Sequence, residues 1–265
     1  MGLALEIVNG FATNPGVGPN PAAMAPFAGD VFAVRNYNNP DTCELLDMWA
    51  QTTTAGMFRI RSPRLHDNVQ GIRQRTIAAT NRVLDSPKAT QPLYAQDLLI
   101  AEIFGGAAET DTGAWCNFYS NLPGVDAQLF TWAAIQPRIL DLVTVETQCG
   151  AGAAIGSYST PVALNSFTDL LEANTPYAIL GYDCDIIGLS VGLRGPDTGN
   201  LRVGGPMTPE RIETRDWFVR LNDLYGIPTI PVVNSANKGA TLIDNAQHIV
   251  GAASNIVWQM AMLSK

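Results

Sequence analysis

Short apolar runs separated by turn residues set the pattern of this chain. Seven of them read as strands: GMFRIR (56–61), LFTWAAI (129–135), LVTVETQ (142–148), YAILGY (177–182), DIIGLSVGLR (185–194), TIPVVN (229–234) and NIVWQMAML (255–263). Each combines β-branched or aromatic residues with Gly, Pro or Asn at its borders. Two stretches have helical spacing. Gln91–Phe104 (QPLYAQDLLIAEIF) is one. The other, Thr208–Tyr225, opens on an N-cap Thr with Pro209 at the first helical position and sets Ile212, Trp217, Phe218, Leu221 and Tyr225 along one side. Regular alternation of strand and helix is missing. The pattern therefore predicts a mainly β chain of two jelly-roll-like β-sandwich halves with a few short helices.

Turn chemistry and a faint repeat divide the chain. Residues 10–42 are dense in Gly, Pro and Asn, so residues 1–42 read as an irregular N-terminal arm. The first sandwich half is then expected over 43–149 and the second over 150–265. Arg61, Pro63 and Gly71 stand 133 residues before Arg194, Pro196 and Gly204, and each set follows a strand-like run.

Composition narrows the classes. With 265 residues, 46% apolar and only 15% charged, the chain can bury a sizeable core and is not disordered, collagen-like or coiled-coil. A net charge of −8 argues against a free-standing nucleic-acid binder. Lysine occurs only at positions 88, 238 and 265, so arginine supplies nearly all the positive charge. Arginine is favoured where a charge is held in an interface, which points to subunit contacts; a compositional bias of the source is the other reading. Cys43, Cys116, Cys149 and Cys184 are too far apart for a zinc site and read as buried thiols. No cofactor or metal is expected. The N-terminus MGLALEIVNG lacks the basic region of a secretory signal, and Glu6 disfavours myristoylation. The uncharged stretch Asn245–Ser264 carries Gln247, His248, Asn255 and Gln259, so it does not read as a membrane span. Synthesis and folding in the host cytoplasm are expected.

Four motifs invite a chemical reading. Gly188-Leu189-Ser190-Val191-Gly192 fits the nucleophile elbow of serine hydrolases, with Asp223 or Asp244 and then His248 in the required order. Arg194-Gly195-Pro196 follows at once, however, where the elbow needs a helix. Asp-Thr-Gly occurs at 111–113 and 197–199, as in aspartic proteases, yet both triplets follow turn-like rather than apolar residues. Gly150–Gly156 (GAGAAIG) mimics a dinucleotide loop without the helix to follow, and reads as a turn between the halves. The arginine-rich stretch FRIRSPRLHDNVQGIRQR, with Arg59, Arg61, Arg64, Arg73 and Arg75 near His66 and Asp67, suits phosphates or carboxylates of a neighbouring subunit. The five tryptophans, Trp49, Trp115, Trp132, Trp217 and Trp258, read as core residues or interface anchors.

Without a convincing catalytic site, the plan of the chain resembles the double jelly-roll major capsid proteins of tailless icosahedral phages, distant relatives of adenovirus hexons. The segments that carry the resemblance are Arg59–Arg73 (RIRSPRLHDNVQGIR) and Arg194–Pro206 (RGPDTGNLRVGGP), both Pro/Gly/Arg-rich connections after strands. The resemblance implies a structural, self-assembling virion protein and not an enzyme. It implies homotrimeric capsomers that tile a closed shell, with other virion proteins as partners and an internal membrane or packaged genome beneath. Arg59, Arg61, Arg64, Arg73, Arg194 and Arg202 are the candidate subunit-interface residues. A carbohydrate-binding β-sandwich, and a serine hydrolase using Ser190 with Asp244 and His248, are the alternatives.

Overall fold

The computed structural model describes residues 2–18, 20–35, 43–65, 69–76, 90–95, 97–125, 127–152, 154–167, 170–208, 214–247 and 253–265. Among the described residues the first half holds nine strands: β1 (Ala4–Thr13), β2 (Ala22–Ala23), β3 (Ala25–Pro26), β4 (Cys43–Gln51), β5 (Met57–Arg61), β6 (Ile72–Arg75), β7 (Gln91–Leu93), β8 (Ile100–Phe104) and β9 (Thr110–Tyr119). They form two antiparallel sheets, β3-β1-β9-β4-β7 and β2-β8-β5-β6. The second half begins with β10 (Leu129–Phe130), the one-turn helix α1 (Trp132–Ile135), β11 (Ile139–Cys149) and β12 (Val162–Ala163). It continues through β13 (Pro176–Cys184), β14 (Gly188–Arg194), β15 (Val203–Met207) and helix α2 (Trp217–Tyr225), then β16 (Ile230–Asn234), β17 (Leu242–Ala246) and β18 (Ser254–Leu263). Its sheets are β10-β16-β13-β18-β11 and β12-β17-β14-β15.

Both halves follow one winding rule. In the first, β1 pairs with β9, β2 with β8, β4 with β7 and β5 with β6. In the second, β11 pairs with β18, β12 with β17, β13 with β16 and β14 with β15. A ribbon paired from its ends inward and rolled into two facing sheets is a jelly roll. The chain is mainly β and carries two of them.

The four sheets stack in layers. Val8, Trp115 and Tyr119 point into the first half's own core with Phe58, Ile60 and Ile103. Leu5, Ile7, Trp49 and Phe118, on the other side of the same sheet, join the core of the second half. Across this seam, Trp49 Nε1 donates to the Leu189 carbonyl at 2.7 Å, and Ile7 N donates to the Arg202 carbonyl at 2.9 Å. Trp49 also meets Trp217 edge-on, with ring centroids 6.1 Å apart. Strands β1, β4 and β9 are therefore buried almost end to end, whereas β18 on the outside alternates buried and half-buried positions.

The strand pairing sets other limits than the sequence suggested. Residues 4–13 are not part of a loose arm, because β1 lies inside a five-stranded sheet with ten residues paired to β9. Residues 139–149 belong to the second half, since β11 pairs with β18. Gly150–Gly156 thus lies within that half, not between halves. Gly156, at φ +81°, leaves no room for a Cβ against the Phe11 ring, so only glycine fits. Gln91–Phe104 is two strands, β7 and β8, and not a helix: its apolar residues serve two short pairings separated by a turn. LFTWAAI divides into β10 and α1, which Thr131 caps. Helix α2 starts at Trp217, well after the expected cap, and residues 209–213 lie outside the described residues. No helix among the described residues is long and apolar enough to cross a membrane.

Close packing around Trp217 gives a test. A Cβ on Gly205 would lie 2.5 Å from the Trp217 ring and 2.6 Å from Tyr182 Oη. Gly205→Ala is expected to cost about 1–3 kcal/mol, as overpacking in a filled core does, read as a lower midpoint in urea at unchanged slope.

Candidate functional site

Each half holds one carboxylate between two arginines, on corresponding strands. In the first half, alternation along β5 turns Phe58 and Ile60 inward and Arg59 and Arg61 outward, and Glu102 on β8 lies opposite Arg59. Arg59 Nη2 sits 2.6 Å from Glu102 Oε2, and Arg61 Nη2 sits 2.9 Å from Oε1. Burial pushes the Glu102 carboxyl up, but the two guanidinium groups outweigh it and hold the group below its ordinary range. Arg59 also lies over the Phe104 ring at 5.3 Å.

The second half repeats this plan with one exchange. Arg194 ends β14 as Arg61 ends β5, and Asp244 stands two residues from the cross-strand partner of Arg194, as Glu102 does from that of Arg61. The place of Arg59 is taken by Gly192. A Cβ there would lie 2.5 Å from Arg202 Cγ, so the glycine opens the slot through which Arg202 reaches Asp244. Arg202 Nε and Nη2 donate to the two Asp244 oxygens, each at 2.9 Å, a bidentate pair. Arg202 Nη1 donates to Asp30 Oδ1 at 3.0 Å, and the Tyr158 ring lies 3.4 Å from its guanidinium carbon. Arg194 Nε stands further off, 3.8 Å from Asp244.

Unlike its counterpart, this cluster is a seam. Asp30 and Asn9 come from the first half; Arg202, Asp244, Tyr158 and Ser190 come from the second. Tyr158 donates to Asp30 Oδ2 at 2.6 Å, Asn9 N donates to the same oxygen at 2.8 Å, and Ser190 Oγ donates to Asn9 Oδ1 at 2.7 Å. Burial drives the Asp30 carboxyl above its ordinary value despite Arg202. For Arg202 burial acts the other way, yet Asp244 and Asp30 outweigh it and the guanidinium is held more firmly protonated than usual.

The six arginines expected at subunit contacts thus separate. Arg59 is buried and the Arg202 side chain is only 10% exposed, and both are bound to carboxylates of their own chain. Arg61 and Arg194 form the rims of the two clusters. Arg64 is exposed over the Tyr94 ring at 5.9 Å, and Arg73 is exposed on β6 opposite Arg59. His66 and Asp67 lie outside the described residues. Sequence reasoning missed Glu102, Asp30 and Asn9, and it knew Asp244 only as a hydrolase acid. The signal was the spacing of 133 residues, which sets Arg61 and Arg194 at the same point of the winding. Gly71 and Gly204 do not share a register, because Gly204 opposes Gly192 whereas Arg73 opposes Arg59.

The other motifs resolve into structure. Ser190 lies within β14, fully buried, and no strand-to-helix turn presents its hydroxyl; His248 lies outside the described residues. Asp111-Thr112-Gly113 is not a turn but part of β9, with Asn14 Nδ2 donating to Asp111 Oδ2 at 2.8 Å. Asp197 sits in a 3-10 turn of the other half, where it accepts from Asn234 N at 2.9 Å. Burial pushes the Asp111 carboxyl up to about 6. The four cysteines are free and buried. Trp49, Trp115, Trp217 and Trp258 are fully buried, while Trp132 lines an open cleft of about 730 Å3 with Leu142, Leu180 and Val219. Among the described residues, no group of three or more His, Cys, Asp or Glu side chains is placed to hold a metal ion.

No protein-family model matches the chain, and no curated protein matches it. Two solved structures are similar in outline. The PBSX exported protein XepA is 11% identical over 98% of this chain and 86% of its own, at a TM-score of 0.29. The major capsid protein P2 of bacteriophage PM2 is 10% identical over 98% of each chain, at a TM-score of 0.23. Likeness at this level is weak and architectural, and says nothing about function.

Two substitutions test the geometry. Arg202→Met leaves Asp244 and Asp30 buried without their cation and is expected to cost about 3–5 kcal/mol in denaturant unfolding; Arg202→Lys, lacking the planar fork, recovers only part of it. Asp111 binds its proton more tightly folded than unfolded, so its ionisation erodes stability as pH rises from about 4 through 6. Asp111→Asn should therefore raise stability at pH 7.5 by about 1 kcal/mol, a gain that vanishes below pH 4 in thermal unfolding.

Proposed function

We propose that this chain is a structural, self-assembling shell protein of a virion, without a catalytic role. One observation carries the reading: within the chain, two jelly rolls are joined by unlike faces. The β3-β1-β9-β4-β7 sheet of the first half covers the β12-β17-β14-β15 sheet of the second. Each end of the stack then presents the sheet that its opposite end lacks, β2-β8-β5-β6 at one and β10-β16-β13-β18-β11 at the other. Contacts between unlike faces are head-to-tail, and such contacts close into rings when the rotation per step permits. Three chains would supply six barrels to a ring, a block suited to tiling a closed shell.

On this reading the partners are further copies of the chain and other virion proteins, with an internal membrane or the packaged genome beneath the shell. The location is the virion. Burial of apolar sheet surface drives assembly, and exposed Arg64, Arg73 and the rim arginines Arg61 and Arg194 set its register.

Light scattering of the purified protein across a concentration series tests this. The expected result is a stable trimer of about 85 kDa, three chains of 28.4 kDa, or megadalton particles visible by electron microscopy. A 28.4 kDa monomer at every concentration would overturn the reading.

A further inference from the structure

The two jelly rolls can be superposed strand by strand from their pairing registers alone. Each has one irregularity in its third ribbon strand, at Leu46 between Leu45 and Asp47 and at Leu180 between Ile179 and Gly181. Aligning these two points places Trp115 of β9 on Trp258 of β18, both fully buried in their barrels. It also places Leu5 on Leu142, Ile7 on Thr144, Asn9 on Glu146 and Trp49 on Asp183. On the other sheets, Arg61 coincides with Arg194, Arg59 with Gly192 and Met57 with Ser190.

This correspondence converts the seam inside the chain into a template. Within the chain, Ser190 touches Asn9 at 2.7 Å, and Gly192 faces Ile7, whose Cδ1 would lie 3.2 Å from a Cβ there. The counterparts of these four residues are Met57, Glu146, Arg59 and Thr144, and they lie on the two outer faces of the stack. Leu5 is 1% exposed because the second half covers it, whereas its counterpart Leu142 is 67% exposed.

Charge agrees with the template. Outward positions of β5, β6 and β8 carry Arg59, Arg61, Arg73 and Arg75 against the one carboxylate of Glu102. Strands β11, β13 and β18 contain no cation, and the register sets Glu146, Val257 and Asp183 in one outward row. Arg215, just before α2, lies over Gly181 of β13, and Arg220 of α2 lines the cleft beside Leu142 and pairs with Asp216 at 3.2 Å, which leaves the Glu146–Asp183 row as the acidic part of this face. Superposition brings the Glu146–Asp183 row against the row that holds Met57 and Arg75.

We propose that the outer face of β5, β6 and β8 docks on the outer face of β11, β18 and β13 of a second copy of this chain, with Met57 against Glu146 and Arg75 against the Glu146–Asp183 row. The inference deepens the shell reading and rests on it. It repeats between chains the contact that joins the halves within one, so complementary charge meets across an interface whose apolar part is Leu142.

Cysteine cross-linking tests it, because the four native thiols are buried and give little background. Met57→Cys combined with Glu146→Cys should form a ladder of covalent dimers and trimers under diamide on a non-reducing gel, and neither single variant should. A charge exchange supplies the second readout. Arg75→Glu and Glu146→Arg should each raise the concentration for half-assembly at least tenfold with thermal unfolding unchanged, and the double variant should recover assembly. If the wild-type protein assembles but the double-cysteine variant stays uncross-linked and the charge exchange does not recover, the docking is wrong and the shell reading stands. If the wild type never leaves the monomer, both fall.

Discussion

The three central strands of the first half's larger sheet have no solvent face, and most of the molecule follows from that. Strands β1, β9 and β4 are packed on one side by their own barrel and on the other by the second. A sheet covered twice has to pair most of its polar groups within the protein, although Trp115 Nε1 and Asn117 Oδ1 of β9 are buried without a hydrogen-bond partner among the described residues. Asn9 therefore meets Ser190 and Asp30, and Trp49 finds the Leu189 carbonyl. The arginine–carboxylate cluster sits at the same seam for the same reason: two buried carboxylates share one guanidinium there, and Tyr158 and Asn9 satisfy the second oxygen of Asp30.

Comparison of the two clusters shows how one device serves two ends. Around Glu102 both arginines project from the same strand, and the assembly is complete within one sheet. Around Asp244 the inner arginine is replaced by Gly192, and the vacated space admits Arg202 from the turn before β15. That reach also brings Arg202 to Asp30, across the boundary between halves. A single exchange of arginine for glycine separates an outward-facing cationic sheet from an inward-facing clasp.

Much of the fold was legible in the sequence, and the reason for the rest is physical. Strands with one wet face, such as β11 and β18, announce themselves through turn borders and β-branched residues. Strands buried on both faces do not alternate: β1 (ALEIVNGFAT) and β9 (TDTGAWCNFY) mix Asn, Asp and Gly with apolar residues and resemble loops until their partners are known. The segment Gln91–Phe104 imitates a helix because two three-to-five-residue strands and a turn happen to repeat at helical spacing. The repeat of Arg61 and Arg194 located both clusters, but composition alone could not say which arginines face inward. That depends on the register of β5 with β8 and of β14 with β17, which are distant in the chain.

The doubly covered sheet also governs the order in which the polypeptide can mature on the ribosome. Strand β1 waits for β9 to be synthesised before its backbone is paired, and the paired sheet then waits for β14, β15 and α2 before Leu5, Ile7 and Trp49 leave water. The first barrel thus carries an uncovered apolar flank for as long as translation of the second takes. A chain ending between the halves would leave Leu5, Ile7 and Trp49 in water, an apolar flank of the kind that favours aggregation.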